Sequence, residues 1–256
     1  MQLEVKNLNF SYNNYSFLQE ISFSLKKGEI LSIVGPNGSG KTTILKCINK
    51  ILNLKYGTIL LGGKNVKNLS LKEISKHISF VPQNFSSAFT LSVFEMVLLG
   101  RKPYIKWMVS SNDEAIVMNT LEMMEINDLS FRFFSELSGG EKQKVLIAKA
   151  LAQEPDIIIL DEPTSNLDLK HQFKIMNLLK KIIKEKNISA VMAIHDLNLA
   201  LRFSDKIMML KNGLIHAYGD INNILNEKNV KEVFGIDTVI YYHSGFPYII
   251  PIENQE

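Results

Sequence analysis

The 256-residue sequence has one cysteine, Cys47, which excludes an internal disulfide framework and makes a reducing compartment the expectation. It has no excess of one charge: 29 Lys and Arg stand against 26 Asp and Glu, and the basic residues are scattered rather than gathered into a stripe. That pattern gives no electrostatic footprint for nucleic acid. Long hydrophobic runs are also missing. Uninterrupted stretches such as "AVMAI", Ala190 to Ile194, fall far short of the ~20 residues a membrane-spanning helix needs. Any membrane association is therefore expected to go through a partner. The start, "MQLEVKNLNF", has no positive segment leading into an apolar stretch, so no secretory signal is expected. What is present is 46% hydrophobic content, ample for a packed core.

"GEILSIVG" (Gly28 to Gly35) is a short apolar run ending in a glycine turn, and "KTTILKCINKIL" comes next, with Ile44, Leu45, Ile48 and Leu52 at helical spacing. This reads as strand, loop, helix. "DIIIL" (Asp156 to Leu160) and "SAVMAI" (Ser189 to Ile194) run without alternation, as central strands covered on both faces do. Earlier, "LEVKNLNFSY" and "ISFSL" alternate, which suits a small antiparallel sheet at an edge. Between Gln83 and Ser138 the texture turns helical and reads as an insertion. After Asp205, "KIMMLKNGLIHAYG" carries a hairpin signal at Lys-Asn-Gly, and "INNILNEKNVKEVF" reads as one helix.

"GPNGSGKT", Gly35 to Thr42, fits the phosphate-loop pattern G-x-x-x-x-G-K-[ST] at every position, in the strand-then-helix context that gives the pattern its meaning. Gly38 and Gly40 let backbone N–H groups turn inward as an anion nest, and the helix start adds its positive dipole end. Lys41 would reach the β and γ phosphates and Thr42 would offer its hydroxyl to Mg²⁺. In "IIILDE" the strand ends on Asp161 and Glu162. Asp161 can hold the Mg²⁺ shell, and Glu162 can take a proton from an attacking water.

A second Ser-Gly-Gly turn, in "LSGGEKQ" at 137–143, raises the question of what a second phosphate cradle is for. Here the chain resembles the ATP-binding-cassette ATPases over nearly its whole length. "LSGGE" resembles that family's signature, "IIILDE" its second nucleotide motif, and "SNLD" (Ser165 to Asp168) its D-loop. His195 in "AIHD" resembles the switch histidine, Gln83 in "FVPQN" the Q-loop glutamine, and Tyr12 in "FSY" the aromatic that stacks on adenine. Glu141 stands where glutamine is commoner, a mild departure expected to leave function intact.

The resemblance implies an α/β fold: a P-loop NTPase (RecA-like) core with an antiparallel β edge subdomain and an inserted α-helical subdomain. Residues 1–83 and 155–219 would form the core, 84–154 the helical subdomain with the signature, and 220–256 a C-terminal extension of one domain. ATP and Mg²⁺ are the implied ligands. Gly35, Pro36, Asn37, Gly38, Ser39, Gly40, Lys41, Thr42 and Thr43 would hold nucleotide, with Tyr12 and Asp161. Ser138, Gly139 and Gly140 would close over the ATP of a second copy in a head-to-tail homodimer. Thr42, Gln83 and Asp161 would serve the metal; Glu162, His195 and Gln83 would serve hydrolysis.

Plainer readings stand beside these. A lone His such as His195 is more often structural, and Tyr12 could simply pack on the edge sheet. Cys47, Trp107, His77, His171, His216 and His243 carry no pattern and read as packing or surface. As a class, the chain reads as the ATPase subunit of an importer for iron chelate, haem, cobalamin or molybdate. It would sit at the cytoplasmic face of the membrane, partnered by permease subunits and indirectly by a substrate-binding protein. The alternative is a soluble cassette ATPase acting on ribosomes or DNA. The stretches Phe85 to Thr90 and Arg101 to Trp107 read as a dock for a permease helix, although Tyr104 and Trp107 could equally pack the insertion's own core.

Overall fold

The computed structural model describes residues 2–13, 15–83, 85, 90–165 and 167–252. In chain order the strands are β1 (Leu3–Tyr12), β2 (Tyr15–Leu25), β3 (Ile30–Val34), β4 (Tyr56–Leu61), β5 (Lys64–Asn65), β6 (Ile78–Val81), β7 (Ile157–Asp161), β8 (Ser189–Ala193), β9 (Lys206–Lys211), β10 (Leu214–Asp220), β11 (Thr238–His243) and β12 (Phe246–Pro251). The helices are α1 (Lys41–Ile48), α2 (Leu71–His77), α3 (Val93–Leu98), α4 (Ser111–Met123), α5 (Gly139–Ala152), α6 (Leu169–Lys186), α7 (Leu197–Phe203), α8 (Ile221–Ile224) and α9 (Glu227–Phe234). The chain divides into two compact units, Met1–Asn68 with Ser189–Glu256, and Leu69–Ile188.

In the first unit, β1 pairs antiparallel with β2 on one side and β4 on the other, with β5 beyond. The alternation that marks β1 changes phase at Asn7, whose φ of 47° and the register shift between Val5 and Leu8 identify a bulge. Leu3, Val5, Leu8 and Phe10 thus all face inward. Strand β3 lies between β8 and β9, parallel to both, and β10 returns antiparallel to β9. Every residue of β3 and β8 is buried, which is why neither run alternates. The β9–β10 turn places Asn212 and Gly213 at φ 49° and 76°, a type I′ hairpin as its Asn-Gly implies.

One expectation for the C-terminal segment is corrected. "INNILNEKNVKEVF" is two helices, because Leu225 leaves helical dihedrals and the Asn226 side chain caps a new start by accepting from Asn229 N at 2.8 Å. Beyond it lies a hairpin that the sequence pattern alone did not announce, β11–β12, turning at Ser244 and Gly245, both with positive φ. This hairpin is fixed to α7. Asn198 Nδ2 donates to Ile249 O at 3.1 Å, Ile249 N donates to Asn198 Oδ1 at 2.7 Å, and Arg202 reaches Tyr248 Oη.

In the second unit, β6 and β7 are parallel, with Val81 opposite Leu160. Helices α2, α3, α4 and α5 each begin at a serine whose hydroxyl accepts from the backbone three residues on, where an acid reaches back: Ser70 with Glu73, Ser92 with Glu95, Ser110 with Asp113, Ser138 with Glu141. The same local pattern thus sets four helix starts. Asp168 caps α6 through His171 N, and Asn187 ends it at φ 51°.

Candidate nucleotide site

In the first unit, β3 delivers the chain into the glycine loop and α1 leaves it. Gly35 must be glycine because a Cβ there would lie 2.2 Å from Leu210 O, and Gly40, at φ 110°, would meet Leu18 Cδ2 at 2.6 Å. Gly40 is the N-cap of α1 and supplies no side-chain acceptor to the helix start. The helix start therefore has no side-chain cap from its N-cap residue, the arrangement that suits phosphate. Lys41 Nζ donates to Gly35 O at 2.8 Å and Pro36 O at 3.1 Å, so the ammonium is held at the loop's own mouth. Ser39 Oγ is buried and has no hydrogen-bond partner. An orphaned donor inside a glycine cradle fits an anionic oxygen.

The same unit brings together residues far apart in sequence. His195, at the end of the β8 segment, donates from Nε2 to Asn37 Oδ1 at 2.7 Å. The plain reading of a lone histidine thus gives way to one that touches the loop, while the next residue, Asp196, caps α7 by accepting from Leu199 N. Tyr12 is 45% exposed. Its hydroxyl lies 3.4 Å from Thr43 Oγ1 and its ring makes T-shaped pairs with Phe10 and Phe17, so packing and exposure coexist.

In the second unit, the β6–β7 register sets the positions of the next catalytic candidates. With Val81 opposite Leu160, the residues two further on, Gln83 and Glu162, emerge side by side past the carboxyl ends of parallel strands, where α/β sheets bind ligands. Gln83 Nε2 accordingly donates to Glu162 Oε2 at 2.6 Å. Glu162 sits at φ 50°, a left-handed conformation costly for a side-chain-bearing residue. Ser165 holds that turn, its N and Oγ both donating to Glu162 O. Asp161, at 3% exposure, is the last residue of β7. Among the described residues, no cluster of three or more His, Cys, Asp or Glu is placed to hold a metal. One buried strand-end carboxylate fits Mg²⁺, which takes one or two protein oxygens and completes its shell with phosphates and water.

The signature turn lies in this unit too, at the start of α5. Ser138 Oγ donates to Glu141 Oε2 at 2.6 Å and Ser138 N donates to the same oxygen at 2.8 Å. The Ser138 hydroxyl, then its backbone N–H, hold the Glu141 carboxyl below its usual range. Gly139 is open, while a Cβ on Gly140 would come 3.3 Å from His171 Cδ2. His171, read from sequence as packing or surface, therefore backs the signature, and its Nδ1 lies 2.8 Å from Asp168 Oδ1 of the D-loop. A cavity of about 250 Å³ opens there, lined by Ser138, Gly140, Glu141, Lys144, His171 and Lys174 among others. Asn166 of the D-loop and residues 86–89 of the stretch Phe85 to Thr90 lie outside the described residues.

The stretch Arg101 to Trp107 does not act as one surface. Arg101 is 3% exposed and donates to Asp113 Oδ1 (3.0 Å), Ala152 O (2.8 Å) and Glu154 Oε2 (2.8 Å). Its guanidinium lies 4.3 Å from the centre of the Tyr104 ring, and Tyr104 Oη donates to Gln153 O. Tyr104 thus takes the packing role, whereas Trp107 does not.

Comparison with known proteins agrees with this geometry. A family model described as "ABC transporter" matches residues 18–165. An uncharacterized ABC transporter ATP-binding protein of Methanocaldococcus jannaschii is 48% identical over 98% of each chain. The iron(3+)-hydroxamate import ATP-binding protein of Bacillus subtilis is 37% identical over 93% of this chain and 89% of its own. Among solved structures, a metal-chelate type ABC transporter in an inward-facing conformation superposes with a TM-score of 0.86 at 32% identity, covering 99% of this chain and 98% of the other.

Proposed function

The chain belongs to the ABC transporter family as one of its ATPases, and from that premise we propose that it powers uptake of a metal chelate, an iron–siderophore complex being favoured. The relative named for iron-hydroxamate import and the metal-chelate type neighbour support this class. Haem, cobalamin and molybdate are the other substrates of the same kind of importer. No helix among the described residues is long and apolar enough to cross a membrane, so the transport path belongs to permease subunits. The chain would dock on them from the cytoplasmic side, through Phe85 and Thr90 beside Gln83.

The observation that supports the mechanism is the second Ser-Gly-Gly turn, Ser138 to Gly140, at the start of α5, read as a second anion cradle. Two copies pairing head to tail would place each signature turn over the γ-phosphate held by the other copy's Lys41, so ATP joins the dimer. In each site the loop from Gly35 to Thr43 binds the triphosphate and Tyr12 stacks on adenine. Glu162 accepts the proton of the attacking water, Gln83 orients that carboxylate, and His195 reports on the γ-phosphate through Asn37. Thr42, Gln83 and Asp161 would hold Mg²⁺, which neutralises phosphate charge. The domain division obeys the same logic: a nucleotide core of 1–83 and 155–219, a helical subdomain of 84–154, and an extension of 220–256.

Complementation tests the composite site. Lys41→Ala weakens nucleotide binding, while Ser138→Arg leaves binding nearly unchanged and abolishes hydrolysis. Mixed dimers of the two regain part of the activity, since one of their two sites has both residues intact. Verified mixed dimers with no recovered turnover overturn the composite site.

A further inference from the structure

Beyond Tyr104 the chain forms an exposed tip in which apolar residues follow one another. Trp107 is 96% exposed, Met108 84% and Val109 40%, three consecutive apolar residues of which the first two are almost uncovered and the third partly so. Lys102 and Lys106, both exposed, flank them, and no carboxylate occurs between Lys102 and Asp113. Asp113 is itself engaged by Arg101 and by the Ser110 hydroxyl. The base of the tip is fixed. Arg101 is bound to the end of α5, Tyr104 N donates to Arg101 O at 2.8 Å, and the Tyr104 ring is stacked on the guanidinium. A rigid base thus carries a protruding apolar end with basic flanks.

We propose that this tip, Lys102 to Val109, inserts into the headgroup region of an anionic lipid surface beside the transporter. A protein interface concentrates its energy in side chains seated in pockets, but an almost fully exposed tryptophan brings no groove of its own with it. The chemistry fits a membrane interface better: tryptophan settles at headgroup depth, methionine and valine reach the acyl boundary, and the lysines meet lipid phosphates. The assignment rests on the reading that the chain works at a membrane. It adds a contact that the ATPase chain makes with lipid directly, without the permease.

Trp107 is the single tryptophan of the chain, so fluorescence reports this site alone. With vesicles of mixed phosphatidylcholine and phosphatidylglycerol at low salt, the emission of the full chain shifts to the blue, bromine-labelled lipid quenches it, and the protein co-sediments. Lys102→Gln and Lys106→Gln each weaken vesicle binding about fivefold, and Trp107→Glu weakens it about tenfold or more. Solution ATPase activity of all three stays unchanged, so a failure of the tip remains distinct from a failure of the ATPase reading. Unchanged emission and no co-sedimentation with anionic vesicles overturn the proposal. So does equal binding to pure phosphatidylcholine, or a blue shift that occurs only with reconstituted permease, which would make a protein the occupant.

Discussion

Replacing Glu162 by Gln separates binding from chemistry more cleanly than any other single change in this chain. The introduced amide keeps an oxygen that can accept from Gln83 Nε2, now 2.6 Å from the carboxylate. It is isosteric, so the φ of 50° at this position is neither eased nor worsened. Stability should therefore change by about 0.5 kcal/mol or less. What is lost is the ability to take a proton in the transition state, a contribution of about 10²- to 10⁴-fold. At ~1.36 kcal/mol per decade, that is roughly 2.7–5.4 kcal/mol of barrier. The assay is paired: ATP turnover for the rate, and size-exclusion chromatography with Mg-ATP for assembly. The expected result is slow turnover with a persistent ATP-bound dimer. Near-normal turnover, or a variant that binds ATP and stays monomeric, refutes the argument that Glu162 is the base and ATP the joint.

Arg101→Met removes a buried cation that serves Asp113, Glu154 and the Ala152 carbonyl; a loss of about 3–4 kcal/mol should lower the midpoint of thermal unfolding by roughly 6–16 °C, and a fall under a few degrees contradicts the buried network. Burial pushes the Cys47 thiol up to about 12, so roughly one molecule in ten thousand carries thiolate at pH 8. Ellman's reagent should find no reactive thiol in the native chain and one after denaturation. The Glu141 carboxyl is held low in the folded state by Ser138, so its contribution is present above the unfolded carboxylate pKa and lost as pH falls through the folded value. Glu141→Gln should flatten the acid side of the stability curve below about pH 5 with little change in turnover at neutral pH, and an unchanged acid slope contradicts the cap.

The nucleotide loop is legible in the sequence because its chemistry is local: eight consecutive residues, a strand before them and a helix after. The Asn212-Gly213 hairpin is legible for the same reason. The Gln83–Glu162 contact is not, since it depends on β6 lying parallel to β7 in one register, and "ISFV" is too short a run to announce a strand. The Asn37–His195 bond likewise joins distant segments. Asn226 is a helix start that local chemistry could have announced, having the cap side chain that Ser92, Ser110 and Ser138 also supply. Ser244-Gly245 lies between "VIYYH" and "FPYII", runs that do not alternate, so its hairpin is not legible from local pattern. Tyr104 and Trp107 are two aromatics three residues apart whose fates differ through Arg101, and only the packed structure separates them.

The helix that begins at Ser138 ends where Arg101 grips the Ala152 carbonyl. At 1.5 Å per residue its fourteen residues form a rod of about 21 Å, held at one end by the buried Arg101 side chain and carrying at the other the turn proposed to bind phosphate. A pivot at the Arg101 end would make that rod a lever. A tilt of about 5° at the pinned end swings the serine end by nearly 2 Å, more than the stretch that takes a hydrogen bond from about 2.9 Å to beyond its working limit. Small angular movements at the Arg101 anchor would therefore be enough to make or break the nucleotide grip proposed for the signature turn.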